Sequence, residues 1–272
     1  MEARLQRRIQ RYGWDLAAAA YERAWQAQLT SAHTRLLACA APGAGEAVLD
    51  VACGTGLVTF AAAQAVGPQG RVLGVDLSAQ MLAAAQDRAR DRECGNTHFA
   101  RMDAEHLDLP DASFDVVLCA LGLMFLPDPE RAVREMRRVL RPGGRLAIAV
   151  WGERVRCVWS SVFPIVDAEV VSEVCPHFFR MGQGDALARA CTDAGLIDIE
   201  QHRFSAILDY ADADEACRAA FVGGPVALAW SRLDEAARTR VRARYLESIR
   251  PWQVAAGFRM PAEFVVVAAR VG

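Results

Sequence analysis

The chain has 272 residues, of which 53% are hydrophobic and 24% are charged, with a formal net charge of −2 at pH 7. This composition is typical of a folded globular protein and argues against a disordered chain. The near-neutral balance gives no overall attraction to nucleic acid, and the Arg-rich segments have the spacing of solvated helix faces. No apolar run approaches the ~18 residues of a membrane-spanning helix, and the charged N-terminus lacks a signal core, so we expect a cytoplasmic protein.

The first segment, residues 2–41, has a helical pattern. Trp14, Tyr21 and Trp25 are separated by seven and four residues, which places them on one helical face. An aromatic stripe of this kind packs against a domain, and it can also cover a ligand. We therefore expect residues 1–44 to form an N-terminal helical lid.

The next segment, residues 45–151, alternates short apolar strands with amphipathic helices. Strands are predicted from Val48 onward and at 72–76, 97–102, 114–120 and 145–151. Helices are predicted after the first, second and fourth strands, with Ser78 as the N-cap of the second helix. Alternating βα units form a parallel sheet with right-handed crossovers.

After Trp151 the pattern changes. An irregular, aromatic-rich stretch precedes a short helix, a long strand at 197–210, a helical region and a final strand at 263–271. We expect residues 152–184 and 211–258 to be insertions that cap the sheet, with 185–210 and 259–272 completing it. The predicted fold class is α/β, a Rossmann-like doubly wound sheet of about seven strands, mostly parallel with an antiparallel last strand, plus helical cap insertions.

The segment from Val48 to Gly56 joins a predicted strand to a helix through a glycine-rich turn, where a doubly wound sheet opens its nucleotide site. Its spacing is A-x-G-x-G from Ala52, with Asp50 two residues ahead. Dinucleotide-binding turns are instead G-x-G-x-x-G, and their helix N-terminus receives a pyrophosphate. Because Asp50 would repel a pyrophosphate and attract an ammonium group, the turn favours an ammonium-bearing ligand over NAD.

This turn resembles motif I of the class I S-adenosylmethionine (SAM) methyltransferases. Four further segments resemble that family's pattern in the same order: Gly74–Ser78, Met102–Glu105, Phe114–Asp128 and Val139–Gly144. Ala52 stands where the family has its first glycine, and alanine is tolerated there if its φ is negative. The nearest subgroup resembles the ubiquinone/menaquinone-biosynthesis (methyltransferase type 11) enzymes and their relatives, which methylate small molecules.

The resemblance implies SAM as the cofactor. In this interpretation Asp76 accepts hydrogen bonds from the ribose hydroxyls, Asp103 accepts one from the adenine amine, and Tyr21 and Trp25 close over the methionine part. The predicted cofactor-binding residues are Tyr21, Trp25, Asp50, Ala52, Gly54, Gly56, Asp76, Leu77, Met81, Asp103, Ala104, Ala120 and Leu121.

The acceptor side of the site is predicted to be apolar. The subgroup often has polar residues in the loop that here runs from Ala120 to Phe125 and is almost wholly apolar. Orienting groups would then come from the insertions, where the segment Cys175–Arg180 contains His177, the candidate catalytic residue that could take a proton near neutral pH. The alternative is that His177 is an ordinary exposed loop residue, since methyl transfer depends mainly on alignment.

No metal site is predicted, because the five histidines are scattered and the eight cysteines occur singly without a C-x-x-C pair. A soft-metal substrate, as in the arsenite methyltransferases, is a minor alternative that would use Cys157 and Cys175.

The predicted activity is methyl transfer from SAM to an O, C or N atom of a small, partly apolar acceptor. The alternatives are a SAM-binding fold relative without turnover, or an RNA or protein methyltransferase. The expected partner is a small-molecule acceptor, with no nucleic acid and no membrane span. The oligomeric state stays open, with a homodimer as one option.

Overall fold

A mostly parallel sheet lies at the centre of the molecule. The computed structural model describes residues 2–170 and 177–272. Within them the strands are β1 (Ala47–Val51), β2 (Arg71–Asp76), β3 (Thr97–Arg101), β4 (Phe114–Ala120), β5 (Leu140–Trp151), β6 (Ile197–Tyr210), β7 (Gln253–Val254) and β8 (Gly257–Arg270). Their spatial order is β3-β2-β1-β4-β5-β8-β6, and β7 pairs with β8. β1 to β5 pair in parallel, whereas β8 is antiparallel to both β5 and β6. The predicted fold class is therefore confirmed.

Within the described residues, nine α-helices lie against this sheet or at its edge. They are α1 (Ala3–Ala40), α2 (Leu57–Val66), α3 (Ala79–Asp91), α4 (Pro129–Val139), α5 (Val162–Asp167), α6 (Ala186–Asp193), α7 (Ala213–Phe221), α8 (Ala227–Ser231) and α9 (Glu235–Ile249). Ser78 caps α3 as predicted, because its hydroxyl accepts a hydrogen bond from the Met81 N–H. None of the described helices has the length and apolarity needed to cross a membrane.

Two strands start earlier than predicted. β5 begins at Leu140 rather than Arg145, because the chain pairs with β4 on both sides of a register shift near Phe114. β8 begins at Gly257 rather than Glu263, because it pairs with the whole second half of β6, as far as Tyr210 opposite Phe258. Both additions come from pairing with a neighbouring strand, which hydropathy alone does not reveal.

The sheet brings four of the five motif segments to its carboxyl edge, whereas Val139–Gly144 lies at the amino end of β4. β1 is buried along its whole length between β2 and β4, and Asp50 lies in register with Gly74 and Leu118. Asp76 ends β2 and pairs with Arg101 of β3. Since carboxyl ends of parallel strands share an edge, the turns after β1, β2, β3 and β4 surround a common space. α1 packs against α3, β4, β5 and β8, and also against α7 and α8, so it crosses this edge and contacts the second insertion.

Candidate cofactor and acceptor site

The turn after β1 depends on two glycines in the left-handed region. Gly54 has φ 54° and Gly56 has φ 86°, a backbone conformation that disfavours other residues. A β-carbon on Gly56 would also lie 2.7 Å from the Phe60 ring. The Gly54 N–H donates to Oδ2 of Asp76 at 2.9 Å, which fixes the turn to the end of β2. The turn therefore depends on glycine at these positions, and Gly54 lines the cavity described below.

The condition under which alanine is readily tolerated at position 52, a negative φ, is not met. Ala52 has φ 56°, which lies in the left-handed region, where an L-residue other than glycine carries a backbone cost. The chain thus keeps the conformation that a glycine would adopt at this position and adds a methyl group to it.

Asp50 is a buried carboxylate with one unpartnered oxygen. Its Oδ2 accepts a hydrogen bond from the Thr59 hydroxyl at 2.6 Å, whereas its Oδ1 has no hydrogen-bond partner among the described residues. Burial raises the pKa of Asp50 to about 7, and the negative charge of Asp76 adds to this rise. The hydrogen bond from Thr59 acts in the opposite direction and lowers the pKa. A buried acceptor of this kind is stabilised by a donor or a cation.

Asp76 is held by the backbone at the end of β2. Its Oδ1 accepts from the Ser78 N–H at 2.8 Å, while its Oδ2 accepts from Gly54. Burial raises the pKa of Asp76, although these backbone N–H groups favour the charged form. Each carboxylate oxygen has a second lone pair, so Asp76 can still accept from a diol.

Asp103, in the segment after β3, is fixed by α1. Its Oδ1 accepts from the Glu105 N–H at 3.0 Å, and its Oδ2 lies 2.9 Å from Nε of Arg7. Arg7 also forms an ion pair with the buried Glu105. The first turns of α1 are therefore anchored to the predicted adenine segment.

Two more contacts hold α1 over this edge of the sheet. Oδ1 of Asp15 accepts from the Ser78 hydroxyl at 2.6 Å and from the Gln80 N–H at 3.2 Å, at the N-terminus of α3. Glu22 forms an ion pair with Arg88, which also donates to the Thr55 carbonyl at 2.9 Å. This position of α1 is consistent with the predicted lid.

A cavity lies between α1 and the turns at the sheet edge. All the predicted cofactor-binding residues line it except Trp25, Asp50 and Gly56. The lining residues that sequence analysis missed are Arg7, Gln10, Arg11, Trp14, Val75, Ser78, Met102, Gly122, Phe125, Leu126 and Pro127. Those on α1 recur at i, i+3, i+4 and i+7, which is the spacing of one helical face. That periodicity is the sequence signal that could have identified them.

A second, smaller cavity adjoins the first. It is lined by Trp14, Tyr21, Trp25, Leu29, Leu121, Phe125, Trp151, Trp159, Phe178 and Pro225, none of which carries a charge. The two cavities share Trp14, Tyr21, Leu121 and Phe125. Trp25, which we expected beside the cofactor, lines only this second cavity.

His177, the candidate catalytic residue, is exposed on a turn and lines neither cavity. The neighbouring Phe178 does line the second one. Cys157 is buried, and burial raises the pKa of its thiol to about 12, so it is a poor soft-metal ligand. The other candidate for such a role, Cys175, lies outside the described residues. Within residues 2–170 and 177–272, no three His, Cys, Asp or Glu side chains are grouped as metal ligands would be.

Comparison with known proteins identifies the part of the chain that is similar to methyltransferases. Residues 48–144 match the model of a methyltransferase domain. The ubiquinone/menaquinone biosynthesis C-methyltransferase UbiE of Hahella chejuensis is 41% identical over 123 residues, which is 45% of this chain and 49% of that protein. The chain spans about half the length of the curated relatives it matches.

Solved structures share the fold over most of the chain. The YcgJ protein of Bacillus subtilis has a TM-score of 0.63 at 18% identity, covering 89% of this chain and 98% of that one. The [4+2]-cyclase SpnF has a TM-score of 0.58 at 22% identity, covering 92% and 83%. At these identities the likeness concerns the fold alone. The domain match and the UbiE-like sequence therefore show a methyltransferase domain over residues 48–144, and four of the five motif segments lie together at the carboxyl edge of its sheet.

Proposed function

We propose that this chain binds SAM in the larger cavity and transfers its methyl group to a small, partly apolar acceptor in the adjoining aromatic cavity. The observation that carries the proposal is the glycine turn, where Ala52 and Gly54 line the cavity and Asp50, a buried acid with an unpartnered Oδ1, directly precedes them in the chain. An ammonium group would satisfy that oxygen, whereas a pyrophosphate would be repelled.

The residues present fit the cofactor. Asp50 suits the ammonium of its methionine part, Asp76 suits the ribose diol, and Asp103 suits the adenine amine. When bound, SAM supplies an electrophilic methyl group, and the protein supplies alignment and exclusion of water. α1 contributes to that exclusion, because Arg7, Asp15 and Glu22 hold it across the cavity.

The lining of the aromatic cavity supports catalysis by positioning. Tyr21 is its most acidic side chain, but burial raises the pKa of the phenol, and the charges of Asp76 and Asp50 raise it further. The phenol therefore stays protonated and acts as a donor, not as a base. An acceptor that already presents a nucleophilic atom suits this environment. Because the curated relatives are named as C-methyltransferases, a carbon acceptor is the first to test, with oxygen and nitrogen as alternatives.

We also propose that the acceptor is a small molecule, that the protein has no nucleic-acid partner, and that it acts in the cytoplasm. The near-neutral charge supports it, because nucleic-acid-binding proteins present a basic surface. A homodimer remains an untested option.

A second candidate is SAM binding without methyl transfer, because a likeness of fold does not determine chemistry. The solved structure of a [4+2]-cyclase with this fold motivates the test.

Calorimetry with SAM, S-adenosylhomocysteine (SAH) and NAD tests the cofactor, and we expect binding of the first two only. Transfer of a labelled methyl group from SAM into small molecules of a cell extract then tests turnover. Tight NAD binding without a SAM signal would overturn the proposal. SAM binding without any labelled product would favour the second candidate.

A further inference from the structure

A buried ion pair joins the two antiparallel strands that complete the sheet. The side chain of Glu263, on β8, is 4% exposed and forms an ion pair with Arg203, on the neighbouring strand β6. A buried carboxylate that loses its partner is strongly unfavourable, so this contact is held in the folded protein. Neither side chain lines either cavity. Any effect of the pair on the site must therefore pass through the segments that it contacts.

Glu263 holds the start of the first insertion, residues 152–184. Its Oε2 accepts a hydrogen bond from the Glu153 N–H at 3.0 Å, and its Oε1 lies 3.4 Å from Nε of Arg156. The Glu263 carbonyl accepts from the Gly152 N–H at 2.7 Å. A β-carbon on Gly152 would lie 2.2 Å from Oε2 of Glu263, so the carboxylate occupies the space that a side chain would need. The chain therefore leaves β5 in direct contact with this carboxylate.

Arg203 holds the end of the same insertion. Its Nη2 donates to the carbonyl of Gly182 at 2.8 Å and to that of Gly184 at 2.7 Å. A β-carbon on Gly182 would lie 2.0 Å from the Trp151 carbonyl oxygen, so the end of the insertion lies against the end of β5. The guanidinium can serve a carboxylate and two carbonyls at once because its five N–H donors have a fixed planar geometry. One ion pair thus contacts both ends of the insertion.

The insertion forms part of the smaller cavity and, in its described residues, none of the larger one. Trp159 and Phe178 line the smaller cavity, and their ring centroids are 5.9 Å apart. Trp159 also packs against Trp151, at the end of β5, with ring centroids 4.9 Å apart. A shift of the insertion would therefore move this wall and leave the lining of the larger cavity in place.

We propose that Glu263 and Arg203 are positioning residues, which set one wall of the smaller cavity by holding both ends of the first insertion. The inference rests on the proposed function in one respect, because that function assigns the smaller cavity to the methyl acceptor. Loss of the ion pair displaces Trp159 and Phe178. Methyl transfer then falls while cofactor affinity is retained, because the rate depends strongly on the alignment of the reacting atoms.

Fluorine nuclear magnetic resonance of protein labelled with fluorotryptophan tests the displacement. The chain has six tryptophans, and single tryptophan-to-phenylalanine variants assign their signals. Glu263→Gln and Arg203→Met should each shift or broaden the Trp159 signal. The signal of Trp230, which stacks on Phe221 of α7, should stay unchanged. The double variant should show no larger change than either single one, because both substitutions break the same contact.

The matched control is Arg259→Gln. Arg259 of β8 forms an ion pair with Asp209 of β6, across the same two strands, but both side chains are exposed and neither lines a cavity. An exposed pair of this kind contributes little. Arg259→Gln should therefore leave the Trp159 signal, SAH affinity and turnover unchanged.

Calorimetry with SAH and labelled-methyl transfer into the cell extract separate positioning from a general effect on the fold. Glu263→Gln and Arg203→Met should bind SAH as tightly as the unsubstituted protein, yet transfer the label about tenfold or more slowly. Arg203→Lys should recover part of the rate lost in Arg203→Met, because lysine keeps the charge but not the planar set of donors.

The unsubstituted protein supplies an independent test should a variant fail to fold. The Glu153 N–H should exchange with solvent as slowly as the amides of β8, because it is bonded to a buried carboxylate. Exchange at the rate of an exposed loop would overturn the inference.

Two results with the variants would also overturn it: an unchanged Trp159 signal in both, or a loss of SAH affinity equal to the loss of turnover. A displaced Trp159 signal with unchanged turnover would overturn the role in methyl transfer. Absence of SAH binding or of label transfer in the unsubstituted protein overturns the proposed function alone, since the Trp159 signal and the Glu153 exchange rate still decide whether the ion pair positions the insertion.

Discussion

Ala52 and Gly122 fit together at the sheet edge: a β-carbon on Gly122 would lie 2.3 Å from the Cβ of Ala52. Ala52 follows β1 and Gly122 follows the neighbouring parallel strand β4, and both line the larger cavity. Gly122 has φ −98°, so the backbone itself would accept a side chain there. The methyl group of Ala52 therefore makes glycine necessary at position 122.

Gly122→Ala should lower the free energy of unfolding by about 1–3 kcal/mol, the usual cost of overpacking. In the Ala52→Gly background the same substitution should cost less than about 1 kcal/mol, because the clash is removed. Urea unfolding of the four proteins measures both values, and SAH calorimetry reports the state of the cavity. Equal costs in the two backgrounds would contradict the pairing of these residues.

The raised pKa of Asp50, about 7, makes cofactor binding depend on pH. Only the carboxylate attracts an ammonium, and an α-amino group stays charged below roughly pH 7.7. Affinity for SAH should therefore rise about tenfold or more between about pH 5.5 and 7.5, with proton release on binding. Calorimetry in buffers of different ionisation heat measures both effects. Asp50→Asn should bind SAH more weakly, and its affinity should not depend on pH in this range. If the affinity of the variant still rises with pH as in the unsubstituted protein, the pH dependence belongs to another group.

The same pKa predicts the pH dependence of stability. The ordinary pKa of an aspartate is 3.8, so between about pH 4 and 7 the folded protein holds a proton on Asp50 that the unfolded chain releases. Stability of the ligand-free protein should fall as pH rises through this range and level off above it. In Asp50→Asn this component should vanish. Denaturant unfolding at several pH values, compared between the two proteins, measures the difference.

Asp76→Ala should weaken SAM binding by about 1.5–3 kcal/mol, the scale of hydrogen bonds to a charged group. Part of the loss would come from the Gly54 turn, which Asp76 also holds through the backbone N–H. Asp108→Ala is the control, because Asp108 is exposed and lies outside both cavities. Calorimetry that finds equal losses in the two variants would mean that the ribose site has been misplaced.

Arg7→Met should loosen the beginning of α1. It removes the ion pairs with Asp103 and Glu105, and Glu105 is buried, so its carboxylate would lose an important partner. We expect faster hydrogen exchange in residues 3–14 and weaker SAH binding. Arg8→Met, at an exposed position on the same helix, should change neither. Unchanged exchange in Arg7→Met would show that α1 is held by its other contacts.

The sequence predicted those parts of the site that lie in contiguous segments. The turn from Asp50 to Gly56, the strand-end acid Asp76 and the segment at Asp103 each follow a recognisable strand, so their place at the sheet edge follows from topology. Arg7 was missed because its ion pair with Glu105 joins residues 98 positions apart. The grouping of Trp25 with Trp151 and Trp159 at the second cavity was missed for the same reason, since these residues come from α1, β5 and an insertion.

The sequence also left the role of His177 open, and the structure now allows a definite expectation. His177 is exposed and lines neither cavity, whereas Tyr21 lines both. Because Tyr21 lies between the two cavities, we expect its hydroxyl to face the methionine part of the cofactor.

Tyr21→Phe should therefore lower turnover by about fivefold or more, the contribution of one hydrogen bond. His177→Ala should leave SAH affinity and turnover unchanged, because positioning, and not proton removal by this ring, drives the reaction. SAH calorimetry and labelled-methyl transfer to the acceptor found in the extract separate binding from turnover in both variants. Loss of turnover in His177→Ala with intact SAH affinity would instead identify His177 as the base and require its loop to close over the acceptor.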